Sequence, residues 1–446
     1  MKSTLGKIWI DMTDMSFWSG HLTGTQRVVY EVSKRFHELE PRSAFFVYND
    51  KNLEFYEISF SDIAANIERE EVAAATAVPV EVGSTSLGKV KHLAIRSYQA
   101  LPYSVRSKIK TEHKTNAKKV FHYAKEFRSR VHRRRYSLAR TAAKSTTPLR
   151  FDSNDNVLLL GKPWDTMSFI ETLRRQKVDT GFEVSHLVYD FTPTFLPHVF
   201  GKPLPANYTQ YMFEACSLSE TLIAISESTK RDIQKFCELE LIPKPRVTTA
   251  RLGDYVSLPS SDKNAAIKSL ADTDFIVCVG TIEIRKNHTL IYTAYKEGIC
   301  RGIKLPHLVI VGSVGWYTGD ILYELANDPE IKDLVTVLSH TSDAQLAWLY
   351  RNCRYAVYAS VYEGWGLPIA EALNYGKLCI ASDSSSMQEI AGNLIEYFSP
   401  YDSVACLTLI AKYLDDKILR SKEKEIAEKY IPIGWDRTYE DVRTVL

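Results

Sequence analysis

Glu363 and Glu371 bracket the run Glu363, Gly364, Trp365, Gly366, Leu367, Pro368, Ile369, Ala370, Glu371. An ionised carboxylate only accepts hydrogen bonds, and its two oxygens can take both hydroxyls of a vicinal diol. A sugar at Glu363 and a ribose at Glu371 are the ligands that this chemistry suits. Gly364 and Gly366 let the backbone approach a ligand closely. Pro368 fits the first turn of a helix whose free N–H groups face an anion, and Trp365 and Leu367 beside it count with the glycines as donor-binding residues. The run Ser382, Asp383, Ser384, Ser385, Ser386 follows one apolar segment later.

A second constellation is Gly280, Thr281, Ile282, Glu283, Ile284, Arg285, Lys286, Asn287, directly after the apolar run 275–279. Asn287 suits a helix N-cap. A nucleoside diphosphate gains negative charge as it leaves a sugar, so cations held at Arg285 and Lys286 would stabilise the transition state more than the ground state. An Arg-Lys pair is also a common solvated loop; beside the glutamate run it reads as a phosphate site. Thr23, Gly24 and Arg27 open a helical stretch at 26–39. Gly24 would let that loop pass a diphosphate or an acceptor, Arg27 could serve either, and a plain loop-to-helix turn accounts for the same residues. Tyr189 and Asp190 end an apolar run before Pro193. Asp190 would face a cleft and orient acceptor or donor sugar, or simply start a turn. Ser226, after the apolar run 221–225, is another strand end turned to the cleft.

These residues need elements to position them. Strands at 275–279, 308–311, 334–338, 355–359 and 378–381 alternate with helices at 289–298, 321–327, 343–352 and 367–375. That order implies a mostly parallel sheet covered by helices on both faces. Ligands bind such sheets at the carboxyl ends of the strands, so 280–287, 312–315, 339–342 and 360–366 should line one crevice. The first half repeats the pattern more weakly, with strands at 7–10, 45–48, 157–160, 183–189 and 221–225. With 446 residues, two α/β domains are the natural division. The expected bounds are 1–255 and 270–425, joined by a polar linker near 254–274. A helix at 421–430 and a last helix at 435–446 follow, and the tail 426–446 should cross the domain junction.

Hydrophobic residues make up 45% and charged residues 25%, a globular balance. Seven cysteines without a C-x-x-C pair argue against a disulfide framework or zinc knuckle and suit a reducing cytoplasm. Residues 1–10 lack the apolar run of a secretory leader, and no apolar stretch is long enough to span a bilayer. Any membrane contact would be peripheral, on the inner face. One segment stands apart: 89–144 holds 17 Lys and Arg against two acidic residues, in a chain of net charge +2. Interleaved aromatics such as Tyr98, Tyr103, Phe121 and Phe127 suit an element lying on an anionic bilayer or around a lipid-linked diphosphate. Nucleic acid and a solvated helical hairpin are the other readings.

From 280 to 400 the sequence resembles the donor-binding domain of family-4 glycosyltransferases. The shared patterns are G-T-x-x-x-R-K-N at 280–287, S-x-x-S-D-x-x-L at 339–346, E-G-x-G-L-P-x-x-E-A at 363–372 and S-D-x-S-S at 382–386. T-G-x-Q-R-V at 23–28 and Y-D-x-x-P at 189–193 also resemble bacterial members that build O-antigen and capsule. The resemblance implies a GT-B fold, two Rossmann-like α/β domains facing each other across a cleft, here with a basic helical insertion near 80–150. It implies that Glu363 holds the donor sugar, Glu371 the ribose, and Arg285 with Lys286 the diphosphate. Ser339, His340 and Leu346 would cradle the base. The implied reaction is retaining, needs no metal or cofactor, and lets the leaving phosphate take the acceptor's proton. The donor would be GDP-mannose or another GDP- or dTDP-linked sugar, and the acceptor a glycan or polyprenyl-linked glycan. Many relatives carry histidine where this chain has Tyr189, and His186 should point elsewhere by strand alternation. A sugar-nucleotide epimerase and a catalytically silent, membrane-recruited scaffold are the rival functions.

Overall fold

The computed structural model describes residues 6–18, 22, 24–75, 80–81, 147–161, 164, 166–243, 245–254, 267–339 and 341–446. The basic segment 89–144, Thr23 and His340 lie outside the described residues.

Two seven-stranded sheets organise the chain. The first contains β1 (Ile8–Asp11), β2 (Ser43–Asn49), β3 (Glu54–Ile58), β5 (Asn156–Leu159), β6 (Glu183–Val188), β7 (Thr221–Ala224) and β8 (Arg246–Thr249). Its order is β3-β2-β1-β5-β6-β7-β8, parallel except for the β2–β3 hairpin. The second contains β9 (Phe275–Val279), β10 (His307–Val311), β11 (Val335–Ser339), β12 (Ala356–Tyr358), β13 (Cys379–Ser382) and β14 (Tyr397–Phe398). Its order is β14-β13-β12-β9-β10-β11, extended by β4 (Val80–Glu81), which pairs antiparallel with β11. β4 therefore joins the second sheet although it precedes most of the first. The central strands read as unbroken apolar runs because helices cover both faces: Phe275, Ile276, Val277 and Cys278 are all buried.

Each sheet reverses its strand order at one point, between β1 and β5 in the first and between β9 and β12 in the second. The crevice beyond the carboxyl ends at such a switch is where open α/β sheets hold ligands. The loops leaving β9 and β12 are the two that carry Arg285, Lys286 and Glu363.

Several expectations change. Strands β3, β8 and β14 are short or edge elements that the hydrophobic pattern does not reveal. The helix expected at 421–430 begins earlier, as Asp416–Lys429, because the Asp415 carboxylate accepts the Lys417 and Ile418 N–H groups at 2.8 and 3.2 Å. Most of the expected polar linker, 255–266, lies outside the described residues, and Asp254 at its start is buried. Its carboxylate accepts the Tyr430 hydroxyl at 2.6 Å and the Ile433 N–H at 2.7 Å, which ties the chain's late return to the end of the first domain.

That return ends in the helix Trp435–Arg443, whose buried Trp435, Thr438, Tyr439 and Val442 follow helical spacing. It packs on the first-domain helix Thr25–Leu39: Tyr439 meets Phe36 edge-on at 4.9 Å, and the Thr438 hydroxyl donates to the Arg251 carbonyl at 2.8 Å. The tail thus spans from the second domain to the first. Tyr439→Ala should cost about 3 kcal/mol through the cavity it leaves; a lowered urea midpoint in equilibrium unfolding is the check.

Candidate functional site

The loop after β9 and the loop after β12 are stitched together before any side chain is considered. The Val361 N–H donates to the Arg285 carbonyl at 2.9 Å, and the Ser360 hydroxyl reaches the same carbonyl at 3.2 Å. The Arg285 guanidinium returns the contact by donating to the Tyr362 carbonyl at 2.8 Å.

Between these loops lies a buried charge cluster. The Glu363 carboxylate is 2.6 Å from Arg285 Nη1 through Oε2 and 2.6 Å from Lys286 Nζ through Oε1. Ser360 Oγ donates to Oε1 at 2.5 Å, and Lys286 Nζ also donates to the Tyr358 hydroxyl at 2.7 Å. Glu283 accepts from the far side of Arg285 at 2.8 Å. Glu363 itself is only 7% exposed. Burial works against its charge, but Arg285 and Lys286 outweigh burial and hold the carboxyl down at about 2. Burial draws the Lys286 ammonium below the usual lysine range even with Glu363 attached, while Arg285 stays charged, raised by Glu363 and Glu283 against burial. Arg285 Nε is buried without a partner among the described residues. A buried donor beside two cations is a place that an anionic oxygen satisfies.

The Glu363 backbone is clamped as well. Its N–H donates to Ser385 Oγ at 2.8 Å, and Ser386 Oγ donates to the Glu363 and Trp365 carbonyls at 2.9 and 2.7 Å. The serines after β13 therefore shape the turn, and their role is structural support. Gly366 takes φ +129° just before the helix Leu367–Asn374, a conformation that L side chains rarely adopt. At Gly364 a Cβ would lie 2.0 Å from the Tyr189 carbonyl oxygen, so only glycine lets the loop after β12 touch the first domain.

Glu371 lies one helix further on. Tyr350 donates to its Oε2 at 2.9 Å, and burial raises the carboxyl above its ordinary value while Arg27 opposes the rise. Arg27 crosses from the first domain to pair with Asp343 at 2.9 Å. Gly24, at φ +49°, begins the Arg27 helix, and nothing stands within 4 Å of where its Cβ would be. Asp343 opens the helix Asp343–Asn352, which Ser342 and Gln345 start with a reciprocal capping box. Ser339, at the end of β11, is buried; Leu346 and Leu367 are half-buried against the core, and Thr281 is exposed. Asp190, after β6, accepts the Thr192 N–H at 2.8 Å, and its Cβ comes within 3.1 Å of the Cβ position of Gly364. The four groups Glu363, Arg285, Lys286 and Asp190 thus meet where the two sheets' strand ends face each other.

Four assignments need correction. Ser226 is buried and caps the helix Glu227–Leu239 by accepting the Thr229 N–H at 3.0 Å, so its hydroxyl is spent on the backbone. The Tyr189 hydroxyl is committed within its own domain, donating to the Leu160 carbonyl at 2.7 Å, while its backbone carbonyl lies against Gly364. Trp365 is a core residue under the Arg251 guanidinium, 5.5 Å from its ring. Asn287 sits at the N-cap position but in the left-handed region, where its amide donates to the Pro400 carbonyl at 2.8 Å instead of capping. His186, as expected, points elsewhere: it is buried against Tyr211, and burial lowers it to about 4.

Some residues carried no readable signal. The Glu389 carboxylate accepts the Glu227 and Ser228 N–H groups at 2.7 and 2.8 Å, docking the second domain onto the first-domain helix Glu227–Leu239. Tyr362 donates to Asp232 of that same helix. Their partners lie over 100 residues away in sequence, so no local spacing betrays them.

Residues 261–430 match the family described as glycosyl transferases group 1. That match covers less than half of the chain and falls on the second domain. The two facing parallel-sheet domains form the GT-B fold. Over its full length the fold resembles that of Anabaena HepE (Alr3699), solved in complex with UDP and glucose, with a TM-score of 0.57, 13% identity and 99% of both chains covered. In sequence the chain resembles O-antigen enzymes of Escherichia coli. It is 28% identical to serotype-specific mannosyltransferase WbdA over 224 residues, 48% of this chain and 27% of WbdA. It is 26% identical to O-antigen chain mannosyltransferase B over 221 residues, 48% of this chain and 57% of that one. The matches thus span about a quarter and just over half of these two relatives.

Glu363→Gln should leave Lys286 without a carboxylate and Arg285 with Glu283 alone, a loss of about 3–5 kcal/mol for a broken buried pair. The variant should melt below wild type and gain more from added nucleoside diphosphate than wild type does; thermal shift with and without GDP or UDP measures both.

Proposed function

We propose that the protein is a retaining, metal-independent glycosyltransferase. It transfers a hexosyl or deoxyhexosyl group, with mannose from GDP-mannose as the leading donor, onto a glycan or lipid-linked glycan in surface polysaccharide synthesis. The observation that carries this reading is the Glu363–Arg285–Lys286 cluster, buried between the two loops that leave the second sheet's switch point. The names of the E. coli relatives support mannose.

In this reading the diphosphate takes the place of the Glu363 carboxylate as partner of Arg285 and Lys286. Glu363 then turns its acceptor oxygens to the sugar hydroxyls. Charge that develops on the leaving phosphate meets two desolvated cations already in position, which need no reorganisation during the reaction. Glu371 grips the ribose, and Asp190, at the end of β6, orients the acceptor or the transferred sugar from the other wall. The leaving phosphate accepts the acceptor's proton, so the step asks for no protein base. Contact between the domains at Gly364 excludes water, which would otherwise hydrolyse the donor.

The purified chain, screened against nucleotide sugars, should release GDP from GDP-mannose when a mannose-terminated acceptor is present. Glu363→Ala and Arg285→Ala should each lower that release about 100- to 1,000-fold, with circular dichroism unchanged. Full turnover in both variants would refute the site, and isomerised donor without transfer would point to an epimerase.

Among the described residues no helix is long and apolar enough to cross a membrane. The basic segment 89–144 suits the anionic inner face of a membrane, where lipid-linked acceptors lie. The full chain should co-sediment with vesicles containing anionic lipid and release as salt rises. Binding that ignores both lipid charge and salt would count against it.

A further inference from the structure

We propose that Arg27 is a positioning residue that reaches across the cleft from the first domain and supplies the countercharge of the ribose-binding carboxylate Glu371 when the domains meet. The inference rests on the donor reading above and adds to it a link between cleft closure and nucleotide grip.

Geometry supplies the argument. Arg27 Nη2 donates to the Leu22 carbonyl and to Asp343 Oδ2, both at 2.9 Å, with its side chain 14% exposed. Asp343 and Tyr350 are seven residues apart on the helix Asp343–Asn352, two turns along one face. Tyr350 donates to Glu371 at 2.9 Å, and its ring stacks on Tyr375 at 5.6 Å, so this face is packed against the Glu371 helix. Arg27, Asp343, Tyr350 and Glu371 thus form one small assembly drawn from both domains.

The charges around Glu371 are unequal. Burial raises its carboxyl most, Arg27 and the Tyr350 hydroxyl bring it down, and Asp343 pushes it up. The Asp343 carboxylate would leave Glu371 beside a like charge if Arg27 were not there to neutralise it. Only the ionised carboxylate can accept both ribose hydroxyls at once. A closed cleft desolvates Glu371 and so disfavours the form that binding needs. The same closure brings Arg27 to it. In an open cleft neither effect operates, because solvent reaches the carboxylate.

The sign follows directly. Without Arg27 the Glu371 carboxyl titrates at higher pH, so acidification protonates it sooner and weakens nucleotide binding. The experiment is calorimetric titration of the full chain with GDP, UDP and dTDP from about pH 8 to about pH 5.5, bracketing the range in which a raised carboxyl titrates. Wild type, Arg27→Gln, Arg27→Lys and Asp343→Asn are compared as ratios to wild type, which cancels the titration of the nucleotide's own phosphate. Arg27→Gln should bind a few-fold more weakly at the alkaline end and lose about a further tenfold at the acid end, one pH unit of protonation being tenfold. Arg27→Lys should restore the wild-type profile, and Asp343→Asn, which removes the like charge, should gain no acid sensitivity. An Arg27→Gln ratio that stays flat across pH, or one that lysine does not correct, would overturn the inference and leave the donor reading intact. A wild type that binds none of the three nucleotides would overturn both.

Discussion

Burying one carboxylate between two cations is the constraint around which the second domain's ligand edge is arranged. Removing these charges from water is costly, and their mutual attraction offsets the cost only with close contact and satisfied hydrogen bonds. Glu363 meets that demand with Arg285, Lys286 and Ser360, all within 2.6 Å. The contacts draw together the two loops that leave β9 and β12. Neighbouring strands at a switch point diverge in their connections, and the charge cluster closes the gap this opens. The cations are thereby held in place, and in the proposed function the carboxylate stands where the donor's diphosphate would bind.

The support around this cluster is mostly neutral and mostly backbone. Ser385 and Ser386 hold the Glu363 turn through its N–H and carbonyl groups. Tyr358 shares the Lys286 ammonium, and burial raises that phenol well above its ordinary value, so it stays a neutral partner. Such partners keep the charges oriented without adding a net charge that would bias the site toward another ligand.

Contact between the domains falls on the same loops. Gly364 touches the Tyr189 carbonyl, Tyr362 reaches Asp232, and Glu389 docks on the start of the helix Glu227–Leu239. A movement of either domain therefore acts directly on the loop that carries Glu363. The helix Trp435–Arg443 also joins the two domains, packing an apolar face on the helix Thr25–Leu39.

Much of this was legible along the chain. Apolar runs such as Phe275–Val279 and the glycine and proline signals at Gly364, Gly366 and Pro368 are local, because strand burial and backbone conformation depend on a residue and its near neighbours. They sufficed for the two-domain α/β plan and the glycosyltransferase resemblance, and they singled out Glu363, Arg285 and Lys286, which the fold brings together. Which partner each polar group takes was a different matter. Ser226 spends its hydroxyl on a helix cap, Tyr189 gives its hydroxyl to the Leu160 carbonyl, and Trp365 fills a core. Glu389, Asp343 and Asp232 gain importance only from residues that chain folding brings to them. A hydrogen bond is made within about 3 Å of space whatever the separation in sequence, so pairings across the cleft belong to the tertiary structure alone.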